Sequence, residues 1–260
     1  MVIYCNCSYN KEIKDNIKEG VIERLNRVDE EVLAIHDLCK LSAKNSELLN
    51  NAVNADRLTI IACYPRAVMN LLKSAGVERD QALINFVNMK EVGEHELDSH
   101  LKSLTLTATT RDIEFVDEIE DWVPWFPVID KNRCDNCKQC ASFCLFGTYT
   151  TDDKGTVKVE NPENCKNNCP ACARICPNAA IIFPKCEEHP INGAEITNEE
   201  AWAEKIKLNV EQLLGDDVYE ALAERRRKAQ KIKLRKKAIE QAENERKQHL
   251  QFGSLSISKD

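Results

Sequence analysis

Glycine and proline are scarce, at eight residues each in 260, and no two glycines stand in a Gly-x-Gly pair. That excludes the glycine-rich turn on which a dinucleotide pyrophosphate rests, so neither flavin nor NAD is expected as a cofactor. Histidine is rarer: His36, His95, His100, His189 and His249 show no metal-like grouping. No apolar run reaches the roughly 18 residues that a membrane-spanning helix needs. The first residues also lack the basic, apolar and small-residue order of a secretory signal, and a soluble cytoplasmic protein is expected. No acid, base or nucleophile set stands out, so the chain is not expected to be an enzyme in isolation.

Cysteine is what the chain has in excess, at thirteen residues. In a reducing compartment disulfides rarely persist, which makes metal ligation the leading use of these thiols. Charge is unevenly spread. Residues 1–130 carry 14 basic and 23 acidic side chains, a net of −9, whereas 131–190 and 191–260 each come to +1.

The first hundred residues alternate as a parallel sheet requires. Apolar runs at 2–5, 31–39, 57–63 and 82–87 predict four strands. Amphipathic segments at 11–28, 42–53 and 65–76 predict the crossover helices, with Ser42 as a cap and Pro65 in a first turn. The sum is a βαβαβαβ unit with right-handed crossovers, an α/β domain built on a four-stranded parallel sheet. "VIYCNCSYN" (2–10) then explains itself. Cys5, Cys39 and Cys63 each fall at the carboxyl end of a different predicted strand, and in a parallel sheet those ends share the edge where ligands bind. Cys7, two residues on, supplies a fourth sulfur. Four thiolates from three loops make a zinc site or a cluster site; four buried cysteines acting as small apolar residues are the plain alternative.

The centre of the chain is more specific. "RCDNCKQCASFC" places Cys134, Cys137, Cys140 and Cys144 in the C-x2-C-x2-C-x3-C run that ligates cubane iron-sulfur clusters. "NCKNNCPACARICP" supplies Cys165, Cys169, Cys172 and Cys176. Three sulfurs on a tight loop each cap one iron of the same cube, and the fourth, carried off by a short helix, serves the other cube. Cys134, Cys137, Cys140 and Cys176 are therefore assigned to one [4Fe-4S] cluster, and Cys165, Cys169, Cys172 and Cys144 to a second. Paired zinc knuckles lack the third closely spaced cysteine.

Residues 126–186 thus resemble the two-cluster bacterial ferredoxins, with two departures: Leu145 stands where the first motif usually has proline, and Cys165-x3-Cys169 has one residue more than the usual x2. The stretch 148–159 predicts a hairpin turning at Asp152 to Gly155. In 122–130, two prolines and three aromatics suit a stiff connector, in which Trp122 and Trp125 serve interdomain packing or shield a cluster edge.

Residues 1–92 resemble the amino-terminal domain of the flavin-binding subunit of heterodisulfide reductase and of related electron-bifurcating proteins. "CNCS", "DLCK", "IACYPRAV" and "FVNMKE" are similar to that family's CxCG, MCS, ACSPR and NIRE elements. The resemblance implies a third [4Fe-4S] cluster on Cys5, Cys7, Cys39 and Cys63. Ser8 replaces the glycine after CxC, and "LCKLSAK" lacks the family's glycine and glutamine. Without a dinucleotide fingerprint in these residues, flavin-based bifurcation by this chain alone is not expected.

The expected organisation is an α/β domain with a cysteine-rich sheet edge over 1–100, a linker over 101–125, an α+β dicluster ferredoxin-like domain over 126–190, and a helical, basic extension over 191–260. In the last, helices are predicted over 198–214 and 216–249, parted by Gly215, and "RRRKAQKIKLRKK" (225–237) holds nine basic residues in thirteen. That run reads as a solvated arm or as a dock for an acidic redox partner. Nucleic acid is not the expected partner, because aromatic residues for stacking are missing. Cys186 stands outside every set and is expected to be free.

The function expected is low-potential electron transfer between redox partners, on the order of −400 mV for ferredoxin-type clusters. A subunit of a larger flavin- or metal-containing oxidoreductase is the alternative, and an iron-sulfur nucleic-acid-binding regulator the second. The ferredoxin resemblance carries the further expectation of an anaerobic setting.

Overall fold

Buried β-branched runs build the first sheet. Strands β1 (Val2–Cys5), β2 (Val32–Ile35), β3 (Leu58–Ala62) and β4 (Ile84–Asn88) pair in the order β2-β1-β3-β4, every pair parallel. Strand β1 is buried at all four positions, as a central strand covered on both faces must be. The computed structural model describes residues 1–10, 12–44, 47–93, 96–214, 220, 223–224, 227–228 and 231.

Helix α1 (Asp15–Leu25) buries Ile17, Val21 and Leu25, one residue per turn on one stripe. Helices α2 (Leu38–Ala43) and α3 (Glu47–Val53) stand where the sequence pattern predicts a single helix over 42–53. The strand expected to reach residue 39 stops at Ile35, because the Asp37 carboxylate accepts the Lys40 N–H at 3.1 Å and starts a helix there. Cys39 therefore lies in the first turn of α2 and not at a strand end. Ser42 is inside α2, and its hydroxyl donates to the Leu71 carbonyl at 2.7 Å, tying α2 to α4 (Pro65–Ser74). Pro65 opens α4, and Gly76, with φ +80°, takes the left-handed turn beyond its end.

Residues 101–125, expected as a linker, run beside β2. Val116 N–H donates to Ala34 O at 3.0 Å, Phe115 bridges Ala34 in parallel, and the Asp117 carboxylate accepts from His36 N–H at 2.6 Å. A short helix, α5 (Leu97–His100), precedes this stretch and packs on α1.

The second half is built from short pairs. Strand β5 (Val128–Ile129) lies antiparallel to β8 (Ile181–Ile182), and β6 (Tyr149–Thr151) to β7 (Val157–Val159). The β6–β7 hairpin turns where Asp152 Oδ1 accepts the N–H groups of Lys154 and Thr156, and Gly155 adopts φ +83°. Helix α6 (Gln139–Phe143) lies within the first cysteine run, carrying Cys140 and ending just before Cys144. Helix α7 (Glu199–Leu214) lays Trp202 and Ile206 on the second core. The helix expected over 216–249 and the basic run over 225–237 fall largely outside the described residues.

One side chain binds the two halves. Arg66, in the first turn of α4, donates to the Asp130 carboxylate at 2.9 Å and to the carbonyls of Pro190, Ala194 and Ala179. The loop carrying Pro190 and Ala194 comes so close to α4 that a β-carbon on Gly193 would stand 2.5 Å from that of Ala67, at a φ of +96°. Only glycine fits there. Gly193→Ala is expected to cost about 1–3 kcal/mol in urea unfolding through overpacking and backbone strain, and an unchanged unfolding midpoint contradicts this packing.

Candidate metal centres

The order β2-β1-β3-β4 puts a topological switch between β1 and β3, and the cysteines gather at its carboxyl edge. Cys5 ends β1. Cys7 follows with φ +52°, a left-handed turn that a cysteine rarely adopts. Cys63 comes directly after β3, and Cys39 arrives from α2. All four are buried. Leu38 N–H, at the start of α2, donates to Cys5 Sγ at 3.2 Å. Cys7 lies within electrostatic range of Cys5, Cys39 and Cys63. The four sulfurs are brought together, one of them by a helix that the apolar pattern around residue 35 conceals.

The second half presents two cavities lined by cysteine. Cys134, Cys137 and Cys140 line one together with Cys176, beside Asn178, Ala180 and Ile181. Cys165, Cys169 and Cys172 line the other with Cys144, beside Leu145, Phe146 and Tyr149. In the first loop Asn136 and Lys138 adopt φ +59° and +66°, and in the second Asn168 adopts +59°. Residues in this conformation turn successive backbone N–H groups inward, forming a concavity that suits an anionic group. Ala180 N–H donates to Cys176 Sγ at 3.3 Å, and the Tyr149 hydroxyl to Cys172 Sγ at 3.1 Å. Phe146 is exposed beside the second cavity.

This half has curated relatives. A stretch of 63 residues is 49% identical to an uncharacterized ferredoxin of Methanocaldococcus jannaschii, covering 24% of this chain and 42% of that protein. Sixty residues are 33% identical to pyruvate synthase subunit PorD of the same organism, 23% of this chain and 67% of the relative. Seventy-four are 34% identical to Ferredoxin-3 of a Nostoc species, 22% of this chain and 75% of the relative. The chain belongs to the ferredoxin family. The match to the first relative spans less than half of that protein's length, and no family model and no solved structure matches the chain. The ferredoxin relatives cover about a quarter of the chain.

The chemistry of the donors suits iron-sulfur ligation. None of the thirteen cysteines is in a disulfide. Burial pushes the thiols of Cys63, Cys140 and Cys165 up to about 12. In the Cys5 and Cys7 pair the mutual hydrogen bond holds the proton on Cys5 and lets Cys7 ionise first. A thiol held up in this way must shed its proton to ligate, so assembly releases protons and acid opposes it. Among the described residues, no three His, Cys, Asp or Glu side chains close on a point as the ligands of a single ion do. The eight sulfurs of the second half instead line the walls of two cavities. The Trp125 indole N–H is buried without a partner, in the apolar cluster that contains Cys140 and Cys172. Trp125 also stacks on Phe183 at 5.5 Å, within the core of the second half and not between the domains.

Several functional contacts have no signal in the sequence. Tyr149 and the backbone N–H groups of Leu38 and Ala180 meet sulfur only through the fold, and Lys185 reads as an ordinary charged residue, whereas Arg66 stands in the "IACYPRAV" stretch. Cys186 is buried in the second core and lines neither ferredoxin cavity. Hydrogen bonds to a ligating sulfur favour the reduced state. Tyr149→Phe is therefore expected to shift the midpoint potential of one centre negative by about 40 mV, the equivalent of about 1 kcal/mol per electron, with iron content retained. A potential unchanged in an anaerobic redox titration contradicts a role for this hydroxyl.

Proposed function

We propose that this chain carries electrons at low potential through two [4Fe-4S] clusters in its ferredoxin module and a third in its amino-terminal domain. Cys134, Cys137, Cys140 and Cys176 hold the first, Cys165, Cys169, Cys172 and Cys144 the second, and Cys5, Cys7, Cys39 and Cys63 the third. The observation that carries the reading is the exchange of fourth cysteines: each cavity is lined by three sulfurs of one run and the last sulfur of the other. This is the exchange that the cysteine spacing leads one to expect. Ferredoxin membership supports the assignment of electron transfer.

The third site rests on the convergence of four buried cysteines at the switch point, and on the resemblance to the amino-terminal domain of the flavin-binding subunit of heterodisulfide reductase. The chain's part in transfer is to hold the sulfurs, exclude water and keep the centres at fixed spacing, so that an electron moves with little rearrangement. A cluster when bound supplies the one-electron couple.

A second reading is favoured by one observation. A relative of the module is a subunit of pyruvate synthase, which supports work as an electron-transfer component of a larger oxidoreductase. That partner donates to or draws from the relay without changing the ligand assignment. No helix among the described residues is long and apolar enough to cross a membrane.

Protein purified without oxygen is expected to contain about twelve iron and about twelve acid-labile sulfide per chain, and Cys39→Ser about eight of each. About eight irons in the unaltered chain overturn the third cluster, and zinc in place of iron overturns the relay. Copurification with a flavin- or metal-containing partner separates the subunit reading from the free carrier.

A further inference from the structure

A charged side chain from the ferredoxin half is buried at the start of α2, the helix that carries Cys39. Lys185 lies three residues past β8, and its ammonium sits 3.0 Å from Asp37 Oδ1 and 3.2 Å from the Pro124 carbonyl. Its side chain is 4% exposed and that of Asp37 is wholly buried. Asp37 is the residue that caps α2, two positions before Cys39, and its second oxygen has no hydrogen-bond partner.

Lys90, just past β4, reaches the same turn and donates to the carbonyls of Pro184 (3.3 Å) and Cys186 (3.5 Å). Two lysines from opposite halves thus meet at residues 184–186, near the edge where Cys5, Cys7, Cys39 and Cys63 gather. Burying an ammonium is costly, and one carboxylate with one carbonyl leaves its donor capacity incompletely used. Ligation would make the nearby sulfurs anionic and supply the remaining attraction.

We infer that Lys185 is a positioning residue whose fixed charge, held in place by Asp37, raises the reduction potential of the centre formed by Cys5, Cys7, Cys39 and Cys63. This rests on the reading that those four cysteines hold a cluster. One electron enters from a reduced centre of the ferredoxin module, no bond is made or broken, and the ammonium stabilises the added negative charge. The ferredoxin half thereby sets the acceptor strength of the centre on the opposite domain. A lysine serving only to dock the two halves would leave that potential where it is.

The test is an anaerobic redox titration of the full chain followed by electron paramagnetic resonance, with iron counted in each variant. The amino-terminal couple is identified as the one missing from Cys39→Ser. Lys185→Gln is expected to move that couple negative and leave the other two unmoved, and Lys185→Arg to restore it. Asp37→Asn, which keeps a helix cap while removing the opposing charge, is expected to move it positive. An unmoved couple in Lys185→Gln with full iron overturns the inference. If Lys185→Gln sheds iron, Asp37→Asn decides: a couple unchanged or shifted negative overturns it. About eight irons in the unaltered chain overturn the underlying reading, and the inference with it.

Discussion

Four sulfurs from two separate runs line each cavity of the second half, and the chain brings them together by crossing its own path. Cys176 returns to the cavity lined by Cys134, Cys137 and Cys140, and Cys144 to the one lined by Cys165, Cys169 and Cys172. Neither return is achieved by the cysteine loops alone. The β5–β8 pair brings the chain after Cys176 back beside the segment that precedes Cys134, and Asp130 N–H donates to Ala180 O at 2.8 Å to continue the ladder. Ala180 in turn bonds Cys176 Sγ. Backbone pairing on one side thus fixes a sulfur on the other.

The same economy joins the halves. Asp130, next to the first cysteine run, accepts from Arg66 of α4, and Lys185, just past the second run, enters beside Asp37 at the start of α2. Both ion pairs are largely buried, and removing one partner of such a pair leaves an uncompensated charge in a low-dielectric setting. The two domains are therefore held in one relation. A relay needs that, because electron transfer depends steeply on the separation of its centres.

Much of this is legible from residue order. The parallel sheet follows from four apolar runs alternating with amphipathic helices, and the ferredoxin module from eight cysteines whose spacing few other sites share. What is hidden lies where a local side-chain bond overrides periodicity. Around Asp37 the apolar run reads as one strand, yet a carboxylate accepting the Lys40 N–H breaks it at Ile35 and moves Cys39 onto a helix. Residues 101–125 are rich in acids and threonines and read as a connector, but their backbone groups bond to Asn26, Arg27 and Ala34 along the edge of the first domain. Lys185 cannot be distinguished in the sequence from any exposed cation, since burial is a property of the assembled fold.

Diffraction at the iron absorption edge, from crystals grown without oxygen, tests the central claim most directly. Three compact anomalous peaks are predicted, one enclosed by each set of four cysteines, with Cys176 beside the first run and Cys144 beside the second. Peaks coordinated by each run's own four cysteines would contradict the crossing on which the relay depends, and the absence of iron between Cys5, Cys7, Cys39 and Cys63 would remove its third centre.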